Sequence, residues 1–126
     1  MEPKQFKEPN LARPLNISYR VLLSPEYRSL SSTAKDVYTI FLYKRTFAKY
    51  RKGKPGRLTN NSIIQFTEDD AVFKWKIKRS SFRRAITKLK EANIIGVTHR
   101  GYGGKGDVSL YELKGMFDGI VTFAKR

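Results

Sequence analysis

Between Lys74 and Lys90 the chain carries eight basic residues and no acid, and through this window Phe82, Ala85, Ile86 and Leu89 recur at i, i+3, i+4 and i+7. That spacing lines four apolar side chains along one stripe of an α-helix, whereas a strand would send them to alternate faces. A helix of this kind must bury the stripe and leave its cations in water or against an anion. Advancing about 100° per residue from Phe82, Ser80, Arg84, Thr87 and Lys88 point away from the stripe, and Ser81 and Arg83 lie on its flanks. The rest of the chain has to supply the surface that covers the four apolar residues.

A second acid-free window, Lys44 to Arg57, holds seven basic residues, and the whole chain of 126 residues carries 26 Lys plus Arg against 11 Asp plus Glu, a formal charge of +15. Uncompensated basic stretches repel themselves and favour association with phosphate or anionic lipid. Apolar residues make up 40% of the chain and 8 Phe, 7 Tyr and 1 Trp are among them, so a packed core is expected rather than a disordered basic tail. The absence of cysteine excludes disulfides, thiol chemistry and Cys-based zinc sites, and a single histidine, His99, excludes a His-rich metal centre. No apolar run reaches the roughly 20 residues of a membrane span, and Met1 to Pro9 lacks the apolar region of a secretory signal. These features predict a cytoplasmic protein with a polyanionic partner, no membrane association and no cofactor.

Residues 1–16 contain Pro3, Pro9 and Pro14 and read as an extended arm. Ile17, Tyr19, Val21 and Leu23 alternate with Ser18 and Arg20, a strand pattern. Ser24-Pro25-Glu26 reads as a helix start, with a short helix to Leu30. Ser31-Ser32 offers the cap of an amphipathic helix over about 31–50, with Leu30, Ala34, Val37, Tyr38, Phe41 and Leu42 on its apolar side, ended by Gly53-Lys54-Pro55-Gly56. Residues 62–66 are β-prone. Thr67 with Asp70 three residues on has capping-box spacing, and Ala71, Val72 and Trp75 form the apolar side of a short helix. Ser80 or Ser81 is the predicted cap of the next helix, and Asn93 its left-handed terminus. Ile94–Arg100 and Val108–Leu113 flank a Gly-rich turn and predict a hairpin. Residues 116–126 form a partly apolar tail.

The predicted order is helix, short strand, short helix, turn, second helix, hairpin, the order of a winged helix-turn-helix. From about Tyr27 to Leu113 the sequence resembles the small winged helix-turn-helix DNA-binding proteins of bacteriophages and mobile elements, of replication-initiator-like type. The residues that carry the resemblance are Leu30-Ser31-Ser32-Thr33-Ala34 with Val37-Tyr38, and Thr59-Asn60-Asn61 through Phe66-Thr67. They continue with Ser81-Phe82-Arg83-Arg84-Ala85-Ile86, Leu89, Ile94-Ile95, Gly103-Gly104-Lys105-Gly106-Asp107 and Leu110-Tyr111. Two departures are present: Asn93 stands where the family usually has Gly, and Trp75-Lys76-Ile77 fills an inter-helix turn that usually contains Gly.

The resemblance implies an α+β fold, a helical core with a C-terminal β-hairpin wing, occupying 17–115 between the arm and the tail. It implies double-stranded DNA as partner, in replication initiation or transcriptional control. The recognition helix would span about 80–92, with Arg84 on a base edge, Lys78, Arg79, Arg83 and Lys88 on phosphates, and the hydroxyls of Ser80, Ser81 and Thr87 on either. In the wing, Arg100 and Lys105 would supply charge and Tyr102 would pack on sugar. An RNA-binding, ribosomal-protein-like role and a protein–protein adaptor role stay open as alternatives, as does a homodimer.

Gly101-x-Gly103-x-x-Gly106 matches a dinucleotide fingerprint only as a string, because a β-prone stretch follows where a helix is required. Glu68-Asp69-Asp70 reads as helix-start capping, without the second acid cluster or histidine that a two-metal site needs. Ser31-Ser32 and Ser80-Ser81 have no His/Asp partners and read as caps. No catalytic site, and so no enzyme, is expected.

Overall fold

The computed structural model describes residues 17–44, 63–101, 108–114 and 117. Two single-turn helices open it, and serines define both. Ser18 accepts a hydrogen bond from the Val21 N–H at 3.3 Å and caps α1, Tyr19–Leu23. Ser24 donates its hydroxyl to the Val21 carbonyl at 2.7 Å and accepts from the Tyr27 N–H at 3.2 Å, so it closes α1 and opens α2, Pro25–Arg28. The strand expected over 17–23 is therefore a helical turn. The alternation was only apparent: Val21 is buried, while Tyr19 and Leu23 are exposed. One turn capped at both ends satisfies its own backbone, whereas a strand would need a neighbour to pair with.

The long helix α3 spans Ser32–Tyr43, with the Ser31 side chain accepting from the Ala34 N–H at 3.2 Å. It ends at Tyr43 with Lys44 as its C-cap, short of the predicted end near 50, and residues 45–50 lie outside the described residues. Ala34, Val37, Tyr38, Phe41 and Leu42 are buried and form the centre of the core. Residues 64–65 form strand β1 (Ile64–Gln65), and helix α4 follows at Glu68–Phe73. The Thr67 hydroxyl accepts from the Asp70 N–H at 3.0 Å, the capping interaction expected from the sequence. Trp75 lies past the end of α4, its ring edge-on to Tyr43 at 5.1 Å.

Helix α5, Arg79–Glu91, buries Phe82, Ala85, Ile86 and Leu89 against α3 and α4. Its N-cap is Lys78, with no side-chain capping bond, so Ser80 and Ser81 sit inside the first turn rather than at the cap. The earlier start follows from the extended backbone at Lys78 (φ −61°, ψ 141°) and from acids on α4 that engage Arg79 at the first helical position. At the other end Asn93 has φ 60°. Its N–H bonds the Lys90 carbonyl at 3.0 Å and the Ile94 N–H bonds the Leu89 carbonyl at 3.0 Å, the paired bonds of a Schellman terminus. Leu89 and Ile94, both fully buried, supply its apolar contact.

Strands β2, Ile95–His99, and β3, Leu110–Leu113, pair antiparallel, and β1 adds to the far side of β3, giving the order β1-β3-β2. Ile64 stands opposite Tyr111 and Ile95 opposite Leu113, with an irregularity between Val97 and His99. The result is an α+β fold. An aromatic chain ties sheet to helices: Tyr111 to Phe41 at 5.5 Å, Phe41 to Phe66 at 5.3 Å, Phe66 to Phe82 at 4.8 Å. Phe117, in the segment read as a tail, is also part of the core. Its ring meets Tyr38 edge-on at 6.3 Å and its carbonyl accepts from the Tyr38 hydroxyl at 3.1 Å.

The turn between α4 and α5 passes through Lys76 at φ 59°, the left-handed conformation that glycine adopts without strain. The Lys76 ammonium donates to the Phe73 carbonyl at 2.9 Å, at the C-terminal end of α4, where positive charge is favoured. Lys76→Gly removes about 1 kcal/mol of backbone strain, partly offset by the greater freedom of glycine in the unfolded chain. The expected result is a net gain of about 0.5 kcal/mol in urea unfolding. A loss of similar size would show that the lysine contacts outweigh the strain.

Candidate nucleic-acid interface

The apolar stripe of α5 fixes which side chains can reach a partner. With Phe82, Ala85, Ile86 and Leu89 underneath, Ser80, Arg83, Arg84, Thr87 and Lys88 are exposed, as is Lys78 at the cap, and Ser81 is half-buried. The exposed basic side chains are not equivalent. Arg83 makes a two-pronged ion pair with Glu68, its Nε to Oε1 and its Nη2 to Oε2 at 3.1 Å. Arg79 donates to Asp69 at 2.9 Å and to Glu68 at 3.3 Å. Arg84, by contrast, has no ion pair or side-chain hydrogen bond among the described residues. Among the described residues Lys88 pairs only with Glu91, at 3.6 Å, with both side chains exposed. Thr87 donates its hydroxyl to the Arg83 carbonyl at 3.1 Å, which leaves its oxygen to accept.

The Glu68-Asp69-Asp70 run thus does more than cap α4. Each acid holds a basic residue from another part of the chain, with Asp70 paired to Lys44, both largely buried. Sequence reasoning found the caps but not these pairs, which span 10, 11, 15 and 26 residues. The available signal was the surplus of acids at one helix start facing basic residues at the next. Among the described residues no cluster of three or more His, Cys, Asp or Glu has the arrangement of a metal site.

The Arg83 guanidinium bonded to Glu68 holds its carboxyl below the usual carboxylate range, with Arg79 adding to the effect and partial burial opposing it. A carboxylate whose pKa is lower folded than unfolded stabilises the fold above its unfolded value, near about 4.3, and loses that contribution as pH falls through the folded value. With the Glu68 side chain 32% exposed, the contribution is at most about 1 kcal/mol. Glu68→Gln is therefore expected to lower stability at pH 7 by up to about 1 kcal/mol and to approach the unmodified chain at acid pH, as Glu68 protonates in the folded state. Unfolding curves that stay apart by the same amount at pH 7 and at acid pH would show that the loss is not electrostatic.

On the sheet, Arg100 is exposed at the end of β2, and the Gly101 N–H donates to the Ser109 hydroxyl at 3.1 Å where the two strands separate. Tyr102 and Lys105, expected to contact DNA, lie outside the described residues, as does the basic window beyond Lys44. His99 is exposed on β2 opposite Leu110.

A groove of about 700 Å³ runs beside α5, lined on one side by Ser81, Arg84, Lys88 and Glu91 and on the other by Ser31 and Thr33 at the start of α3. Sequence reasoning singled out the α5 wall but not the α3 wall, since nothing local to Ser31 and Thr33 tells which helix they will face. Among the described residues no helix is long and apolar enough to cross a membrane. No family model, curated protein or solved structure matches the chain.

Proposed function

We propose that the chain is a winged helix-turn-helix module that binds double-stranded DNA sequence-specifically, reading base edges with the exposed side of α5. Its setting would be the cytoplasm, in replication initiation or transcriptional control of a phage or mobile element, as the sequence resemblance implies. The observation that carries the reading is the exposed side of α5. It presents Lys78, Ser80, Arg84, Thr87 and Lys88 without an acid before Glu91, on a helix whose opposite side is locked in the core. A helix about 10–12 Å across matches a major groove about 12 Å wide. The element order supports it: α3, β1, α4, α5, then the β2–β3 hairpin, with β1 closing the sheet against β3. Ser80 and Arg84 supply hydrogen-bonding groups for base edges, Lys78 and Lys88 charge for phosphates, and Arg100 lies at the base of the hairpin.

Duplex binding measured against salt tests it. If about four cations contact phosphates, log K falls by about 3.6 per decade of salt, and selection from a random duplex library enriches one motif. Affinity that does not respond to salt would sink the reading. Preference for structured RNA over duplex would replace it with an RNA-binding role.

A further inference from the structure

We propose that the groove between the start of α3 and α5 seats one phosphodiester of the DNA backbone, next to the bases that α5 reads. The inference rests on the DNA-binding reading and deepens it. The groove volume of about 700 Å³ falls within the ~300–1,000 Å³ of clefts that hold small ligands, ample for a phosphate and its sugar. Its two walls supply different chemistry. The α5 wall brings Lys88, whose one acidic neighbour among the described residues is Glu91, and Arg84, which borders the groove beside the base edge assigned to it. Arg79 and Arg83 are drawn toward Glu68 and Asp69.

The α3 wall brings hydroxyls. The Ser31 oxygen accepts the Ala34 N–H, so its own proton is free to be donated outward. The hydroxyls of Thr33, and of Ser81 across the groove, have no hydrogen-bond partner among the described residues. A lysine flanked by hydroxyl donors, with Glu91 the one acid in the lining, suits a singly charged phosphodiester oxygen. The pair of Lys88 with Glu91 is exposed and longer than 3 Å, so its cost of exchange is small. Such a contact fixes the register of α5 on the duplex and carries no sequence information itself.

Two substitutions of opposite sign test the seat in the full chain. Thr33 lies in the first turn of α3, which contains no acid, so Thr33→Glu suits the positive end of that helix while opposing a phosphate in the groove. It is expected to weaken binding about tenfold at low salt for every duplex alike and to reduce the salt slope by about 0.9, one phosphate. Glu91→Gln removes the one acid lining the groove and is expected to tighten binding two- to threefold. Circular dichroism and urea unfolding of both variants serve as the control for the fold.

If the unmodified chain binds duplex with a steep salt slope and both variants bind as it does, the groove assignment fails and the DNA reading stands. If the unmodified chain shows no salt-dependent duplex binding, both fail. An altered enriched motif in Thr33→Glu would also overturn the assignment, since a backbone seat leaves base preference unchanged. Saturation of the groove by inorganic phosphate at millimolar concentration, followed through the Thr33 and Ser81 amides, would reassign it to a free anion.

Discussion

Phe82→Ala is expected to cost about 3–5 kcal/mol of stability, a large share of the roughly 5–15 kcal/mol available to a domain. Phe82 is the largest of the four α5 side chains buried in the core. It is 3% exposed and its ring lies 4.8 Å from Phe66, which in turn meets Phe41 of α3 at 5.3 Å. The Lys44 ammonium sits over the same Phe66 ring, 4.8 Å from its centroid. Truncation removes the transfer free energy of the ring and leaves a void that Phe66 cannot fill without giving up Phe41. Urea unfolding should show a lower midpoint with an unchanged slope, the mark of altered stability rather than altered compactness. Arg84→Ala, one position past the neighbouring Arg83 and fully on the exposed side, should stay within about 0.5 kcal/mol. A cost below about 1 kcal/mol for Phe82→Ala would mean that α5 is not anchored through this ring.

The contrast between those two substitutions is the part of the molecule that was readable from sequence. A helical stripe repeats every three to four residues, so its period alone identifies the buried and exposed sides of α5, and burial of Phe82, Ala85, Ile86 and Leu89 follows it. The Thr67 cap and the left-handed Asn93 were legible for the same reason, as each needs only its own few neighbours. Where a reading failed, the deciding partner was elsewhere. Alternation over 17–23 gave way to two serine caps, and the Ser80/Ser81 cap gave way to an earlier start at Lys78. Lys76 adopts a glycine-like conformation without being glycine, since the reversal between α4 and α5 is imposed by packing of both helices and not by turn propensity. The burial of Phe117 depends on Tyr38, 79 residues earlier. The candidate interface divides the same way: the α5 residues were visible in one window, whereas the acids that restrain Arg79 and Arg83, and the α3 wall of the groove, arise only once the helices pack.

Arg84→Ala is expected to relax sequence preference at one base-pair position by about 1–3 kcal/mol, roughly 5- to 150-fold. Its guanidinium has no acid to satisfy it among the described residues and projects from the side of α5 opposite the core. Arginine is suited to guanine because its fork matches the O6 and N7 acceptors together. Lys88→Ala serves as the contrast: a point charge on the backbone lowers affinity for every duplex alike and removes about 0.9 from the salt slope. The measurement is a comparison of the motif enriched by each variant from the same random library, together with the salt slope for a fixed duplex. Loss of preference at one position with a nearly unchanged slope would assign Arg84 to a base edge. A uniform loss with a shallower slope would instead move Arg84 onto the backbone beside Lys88, leaving Ser80 and Thr87 to read the bases.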